Sequence, residues 1–368
     1  MRKAVTRVCS SYVCLAWFVL PALLLAASLA EGSLPPTVAK LYTDTFFNGL
    51  VRVRNGSAAA VIAAQDFGIL SDYHHTDSLR FPVGSNTKLH VALALYQLQE
   101  SGLVNLTHSI ADYLDANDFV AFGWSPNSTY CPKVVNSSTP SCQVITFEQL
   151  LGMSSGIPGG PFDNFFVPYA GSIGATVGPY LQAELYFVPG TDFFYSNPSF
   201  MLAAYFVEKL SGMELGDYVR KNIWRLASMN DTRYDPYNQQ LAEDDRQVAE
   251  KFHYIDASTN DSIAWGKCSY ELDPGVVNGA GGFKSTVKDE ANLYFRLFDF
   301  NAMGRPFLKH PSSLLAMVTP RTATGSPRWF AQGVWVMNCA DPSRWQPPYP
   351  RASSSMKARP FVRIRQIF

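Results

Sequence analysis

The sequence predicts an α/β chain of the α+β type, built on antiparallel strands and not on a doubly wound parallel sheet. Three observations carry that expectation. Leu50 to Arg54 alternates apolar and basic residues, and Asn55-Gly56 separates it from the apolar run Ala58 to Ala64; this is a strong hairpin signal. The stretch Phe81 to Gly102 follows and reads as a helix that is apolar most of the way round, hence buried. A second buried helix, Ser199 to Leu210, ends at Ser211-Gly212. A hairpin feeding a buried helix argues against parallel crossovers.

Composition sets the compartment and excludes some partners. The chain has 368 residues, with 30 basic and 30 acidic side chains, and so near-neutral a balance gives no basis for nucleic-acid binding. Residues 1–30 open Met1-Arg2-Lys3, with Arg7 close behind, then run apolar from Tyr12 through Leu25 to the small residues Ala26, Ala27, Ser28 and Ala30. This is the pattern of a secretory signal cut after Ala30. An uncleaved signal anchor is the alternative, and membrane contact is expected only in that case. The expected location is therefore secreted or in the lumen of the secretory pathway.

Four cysteines follow the signal: Cys131, Cys142, Cys268 and Cys339. The first two bracket a polar loop, where a local disulfide is expected in an oxidising compartment; the spacing leaves the pairing of Cys268 and Cys339 open. Asn55, Asn105, Asn127, Asn136, Asn230 and Asn260 each begin an N-x-S/T sequon. The histidines have no zinc spacing, and His74-His75, being adjacent, point apart. No metal or organic cofactor is implied.

In chain order, Val38 to Tyr42 suggests a short helix. Phe81-Pro82-Val83 ends an extended segment, because a residue before proline is pushed away from the helical region. Gly84 permits the turn, and Ser101-Gly102 stops the helix. Ser85 and Lys88 stand three apart in its first turn, on one face. A serine hydroxyl needs a neighbouring base to become a nucleophile. Lysine fills that role when burial and a helix N-terminus destabilise its ammonium. The bland alternative is a serine N-cap followed by a surface lysine.

LVNLTHSIADYL reads as a turn and short helix, and Asp115 to Gln143 as a long surface loop. Thr146 caps a helix over Phe147 to Leu151, with Gln149 at the capping-box position. Gly152-Met153-Ser154-Ser155-Gly156 matches the G-x-S-x-G nucleophile elbow, but that motif needs a strand before the serine and a helix after it. A helical segment precedes and Ile157-Pro158-Gly159-Gly160-Pro161 follows, so Ser154 is rejected as a nucleophile. Residues 160–190 are rich in Gly, Pro and aromatics and read as irregular, a candidate cleft wall. Tyr195 and Asn197 lie in a loop ahead of the second buried helix. Extended backbone points side chains two apart the same way, and a tyrosine beside a lysine cation relays protons.

In order, FPVGSNTK, ITFEQLLGMSSGIPG, VPGTDFFYSN, YVRKNIWRLASMNDTRYD and NGAGGFKSTVKDEANL resemble the serine β-lactamase-like hydrolases. These comprise class C β-lactamases, D-alanyl-D-alanine carboxypeptidases and their esterase relatives, including eukaryotic β-lactamase-like proteins. The resemblance implies a mostly antiparallel sheet flanked by helices, with an inserted helical lobe and the site between them, over a domain spanning residues 31–340. It implies that Ser85 is acylated, that Lys88 and Tyr195 move its proton, and that Asn197 orients the substrate. Gly281-Gly282 resembles a glycine pair that lets a loop pack near the site without a chemical role. The substrate would be a small molecule, peptide or ester.

The chain departs from the family at its third motif, Lys- or His-Thr/Ser-Gly. Thr324-Gly325 is preceded by Ala323, and Lys284-Ser285-Thr286 lacks the glycine. Residues 330–336 resemble the strand before that motif, and the likeness stops after Asn338. The basic, proline-rich segment 341–368 is expected to be disordered, an altered C-terminus arising from splicing or a misread gene model. The sequence thus leads to a secreted serine hydrolase acylated on Ser85. A weak or inactive secreted glycoprotein that uses the same scaffold for binding is the alternative.

Overall fold

The hairpin forms as β1 (Leu50–Arg54) and β2 (Val61–Asp66), antiparallel, with Leu50 opposite Asp66 and Val51 opposite Gln65. In this computed structural model the described residues are 39–40, 50–54, 61–66, 77–135, 141–159, 167, 170–234, 252–256, 263–267, 278–298, 304–319, 330–332 and 334–335. The signal segment 1–30, Asn55-Gly56, His74-His75, Cys268, Cys339, the segment after Asn338 and the sequons at Asn55, Asn136 and Asn260 lie outside them. Of the predicted Val38–Tyr42 helix, Ala39 and Lys40 are described, and both are helical.

The strand β3 (Phe81–Pro82) runs into a 3-10 turn at Gly84–Asn86 and then α1 (Thr87–Glu100). Gly84 has φ +52°, a left-handed turn that glycine adopts without cost. Every residue of α1 from Thr87 to Tyr96 is buried, as its all-round apolar pattern requires, and the helix stops at Ser101 with Gly102 at φ +77°. A 3-10 turn at Ile110–Tyr113 follows.

Next come α2 (Ala116–Ala121), α3 (Phe147–Leu151), α4 (Ile173–Gln182) and α5 (Asn197–Ser211). The capping box of Thr146 and Gln149 is present at the start of α3. Cys131 and Cys142 are disulfide-bonded. The helix α5 is the hub of the fold, packed against α1, α3 and α4. Phe200 and Phe206 on it are wholly buried, each contributing about 1.5–3 kcal/mol on transfer from water.

Two helices arise where loops were expected. In the predicted 115–143 loop, Asp115 and Asp118 form a reciprocal capping box that starts α2. Within the predicted irregular stretch 160–190, Ser172 caps α4. Its glycines are packing residues: a Cβ at Gly178 would come within 2.1 Å of the Phe122 carbonyl oxygen, and one at Gly174 within 3.1 Å of that of Ala121. Local composition argued for a loop, but close approach to the α2 segment makes those glycines necessary in a helix.

Beyond α5 the chain forms α6 (Leu215–Val219), a π-helical turn at Arg220–Trp224 and α7 (Arg225–Ala227). Then follow β4 (Arg233–Tyr234), the hairpin of β5 (Phe252–Asp256) and β6 (Ile263–Lys267), and β7 (Phe283–Ser285). The last elements are α8 (Val287–Phe298), α9 (Pro311–Val318), β8 (Phe330–Ala331) and β9 (Val334–Trp335). Every pairing of these strands is antiparallel: β1 with β2, β7 between β3 and β4, β5 with β6, and β8 with β9. The fold is the predicted α+β type, with antiparallel strands and flanking helices. Among the described residues no helix is long and apolar enough to cross a membrane.

Candidate active site

The site is set where β3, α1, α5 and the loop before β7 meet. The Val83 N–H donates to the Phe283 carbonyl at 3.0 Å, and the Phe283 N–H reaches Thr87 Oγ1 at 3.4 Å. These bonds hold the first turn of α1 against β7. Ser85 is left exposed in the 3-10 turn just ahead of α1, while Lys88, in the first turn of α1 itself, is 1 % exposed.

Lys88 is the centre of the constellation. Its Nζ lies 3.1 Å from Ser85 Oγ, 2.9 Å from Asn197 Oδ1 and 2.7 Å from the Ala280 carbonyl oxygen. It also stands 4.8 Å from the centre of the Tyr195 ring and 5.7 Å from that of Phe200. Among the described residues no carboxylate pairs with it. Burial therefore holds its ammonium well below the ordinary lysine range.

The three partners suit a neutral amine, which has two N–H donors and one lone pair. Asn197 Oδ1 and the Ala280 carbonyl are pure acceptors and take the two protons. The remaining partner is the Ser85 hydroxyl, whose oxygen accepts from Nζ in the structure and whose O–H can donate to the lone pair of a neutral amine. In its neutral form the Lys88 amine would be aimed at the one proton that has to leave for Ser85 to become nucleophilic.

Tyr195 and Asn197 reach the amine by the same logic of alternation. Ser196 between them is extended, with φ −110° and ψ 114°, so the two flanking side chains share a side. The Ser196 side chain turns the other way, is buried, and caps α5 by accepting the Ser199 N–H at 3.2 Å. Asn197 is the first residue of α5 and not part of the preceding loop.

A sequence profile of the beta-lactamase family matches residues 47–352. The chain belongs to that family.

A protein of Escherichia coli (strain K12) that carries the provisional name D-alanyl-D-alanine carboxypeptidase is 27% identical over 234 residues, 59% of this chain and 50% of its own. Penicillin-binding protein 4* of Bacillus subtilis (strain 168) is 29% identical over 201 residues, 50% of this chain and 38% of its own. The chain thus spans half or less of the length of these two relatives. Among solved structures, a penicillin-binding protein from Bacillus halodurans superposes with a TM-score of 0.59 at 22% identity, covering 82% of this chain and 83% of that one. That likeness concerns the beta-lactamase-type fold.

Sequence reasoning missed Ala280. The resemblance implies that Gly281-Gly282 lets a loop pack near the site without a chemical role, and the residue just before this pair supplies an acceptor for the Lys88 amine. The signal was the glycine run Asn278-Gly279-Ala280-Gly281-Gly282. Gly279 has φ +77°, and a Cβ there would meet the Ala204 Cβ at 2.2 Å. Only a residue without a side chain lets this loop press onto α5 and bring its carbonyl to the amine. Ser154, rejected as an elbow nucleophile, follows α3 and precedes loop backbone, with neither the strand nor the helix of that motif.

Proposed function

We propose that the protein is a serine hydrolase of amides, esters or lactams that works through an acyl-enzyme on Ser85. The observation that carries this reading is the Lys88 amine, buried, without a carboxylate partner among the described residues, and 3.1 Å from Ser85 Oγ. Ser85 Oγ attacks the substrate carbonyl carbon while its proton passes to the Lys88 lone pair. Tyr195, beside the same amine, relays a proton to the leaving nitrogen or oxygen as the carbonyl bond to it breaks. The leaving group departs as an amine or alcohol. Water then attacks the acyl-enzyme, gives its proton back through the same pair, and releases the carboxylic acid and a free Ser85 hydroxyl. The Ser85 N–H, in the first turn where such groups lack intrahelical acceptors, stabilises the oxyanion. Asn197 keeps its Oδ1 on Lys88 and offers its amide N–H to the substrate carbonyl.

The substrate is a small molecule, peptide or ester, and the reaction takes place in the secretory pathway or outside the cell. The test is labelling with a fluorophosphonate probe followed by peptide mass spectrometry. The expected result is one adduct, on Ser85, absent from Ser85→Ala. An adduct that survives Ser85→Ala, or none on folded protein, overturns the assignment. The second outcome favours the alternative of a non-catalytic glycoprotein, for which the missing Lys/His-Thr/Ser-Gly motif is the supporting observation.

A further inference from the structure

The run Gly152-Met153-Ser154-Ser155-Gly156 has no nucleophile's role in the proposed mechanism, yet its methionine touches the machinery from behind. Met153 is wholly buried and has φ +58°, in the left-handed region. A non-glycine residue is rarely found there, and an unstrained sequence would place glycine or asparagine at such a position. In this conformation both acceptor atoms of Met153 face one neighbouring segment. Its carbonyl oxygen accepts the Phe194 N–H at 2.9 Å, and its sulfur accepts the Ser196 N–H at 3.3 Å. The residue between those two amides is Tyr195.

The rest of the run continues the same seam. Ser154, Gly156 and Gly159 carbonyls accept the N–H groups of Gly190, Tyr186 and Asn197 at 2.8, 2.9 and 3.3 Å. Four of these five bonds are peptide to peptide and would survive most substitutions. The exception is the bond from Ser196, which ends on a side chain. Thioether sulfur is a weak acceptor, but Ser196 is 1 % exposed, so water offers no easy replacement. The Lys88 amine stands over the Tyr195 ring, 4.8 Å from its centre. The methionine holds the backbone before and after the tyrosine.

We propose that Met153 is a positioning residue for Tyr195, its carbonyl and thioether holding the N–H groups of the residues on either side of the tyrosine so that its ring stays beside the Lys88 amine. This rests on the reading of Tyr195 as the proton relay, and the experiment separates the two. Met153→Leu keeps volume and removes only the sulfur acceptor. Hydrolysis of a p-nitrophenyl ester is measured for the parent, Met153→Leu, Tyr195→Phe and the double variant, each normalised to folded protein.

Met153→Leu is expected to lower kcat about tenfold with KM nearly unchanged, the pattern of a misplaced catalytic group. Added to Tyr195→Phe it is expected to cost nothing more, because it acts through the tyrosine. Parental turnover in Met153→Leu beside an impaired Tyr195→Phe overturns the clamp and leaves the relay standing. Losses that multiply in the double variant also overturn it, since they assign Met153 a role in the fold alone. An unimpaired Tyr195→Phe removes the relay and the clamp together. If Met153→Leu does not fold, amide exchange on the parent decides: a protected Ser196 N–H supports the clamp, and one exchanging like an open loop overturns it.

Discussion

Lys88 and Glu290 are both wholly buried ionisable groups in the first turn of a helix, and they stand in opposite circumstances. Lys88 has three hydrogen-bonding partners, drawn from the 3-10 turn before α1, from α5 and from the loop before β7. Among the described residues neither carboxyl oxygen of Glu290 on α8 has a well-formed hydrogen bond, and only the Ser285 hydroxyl stands near enough to offset its burial in part. Burial is the main cause of displacement in each case, lowering the lysine and pushing the glutamate up to about 7, with the neighbouring Asp289 carboxylate adding to the latter. The comparison teaches that burial alone shifts a pKa. What makes a shifted group chemically useful is a reactive partner within hydrogen-bond distance and an opening to solvent. Lys88 has both through the exposed Ser85. Glu290 has no opening to solvent and only the Ser285 hydroxyl beside it, and its neighbours Asp289 and Tyr294 are themselves displaced upward. It is a cost to the fold at neutral pH and not a second site.

The largest test of that contrast is Lys88→Met, which keeps the bulk and apolar stem while removing the amine. Fluorophosphonate labelling of Ser85 is expected to slow about 10³-fold, with the fold retained by circular dichroism. The parent's labelling rate is expected to rise with pH until Lys88 is neutral and then level off, with the midpoint well below the ordinary lysine range. A midpoint near 10.5, or unchanged labelling of Lys88→Met, would break the comparison by making the lysine a bystander.

Glu290→Gln comes next and acts on stability alone. Between pH 4.5 and about 7 the folded chain binds more protons at Glu290 than the unfolded chain does. Stability therefore falls as pH rises through that window, and the loss is complete above it. Lys88 has the opposite slope: between its lowered folded value and 10.5 the unfolded chain holds the extra proton, so stability rises with pH there. Glu290→Gln is expected to gain roughly 3 kcal/mol above pH 7 and nothing below pH 4.5. Denaturant unfolding at two pH values measures this, with turnover per folded molecule unchanged. A gain that is the same at both pH values would contradict the buried-acid reading.

The smallest effect expected is that of Gly279→Ala, which sharpens the Lys88 side of the contrast. The added Cβ meets Ala204, and φ is +77°, so a loss of about 1–3 kcal/mol is expected in thermal unfolding. Displacing the loop also withdraws the Ala280 carbonyl from the amine. Labelling of Ser85 is accordingly expected to slow in the fraction that remains folded. Full labelling would mean that two partners suffice to orient Lys88.

Much of the nucleophile end was legible from local pattern. The residues from Phe81 to Gly102 encode a turn, a buried helix and its stop, and the Thr146–Gln149 capping box was read where it forms. The alternation that brings Tyr195 and Asn197 to one side is likewise a property of extended backbone. The helices α2 and α4 were not legible, because their evidence is spread differently. Asp115 and Asp118 cap one helix inside a polar stretch that also reads as loop. Gly174 and Gly178, ordinarily helix-weakening, are retained in the other for contacts with residues some fifty positions earlier.

Alone, then, the order of residues determined the family, the antiparallel character of the strands and the identity of four polar groups worth watching. It did so because these depend on spacing within a few turns of chain. Tertiary structure alone decided that Ser85, Lys88, Tyr195 and Asn197 meet, that Ala280 joins them through a carbonyl every residue possesses, and that Glu290 is sealed away from solvent. Distances across more than a hundred residues of chain are set by packing around α5, and a backbone acceptor has no signature in a sequence.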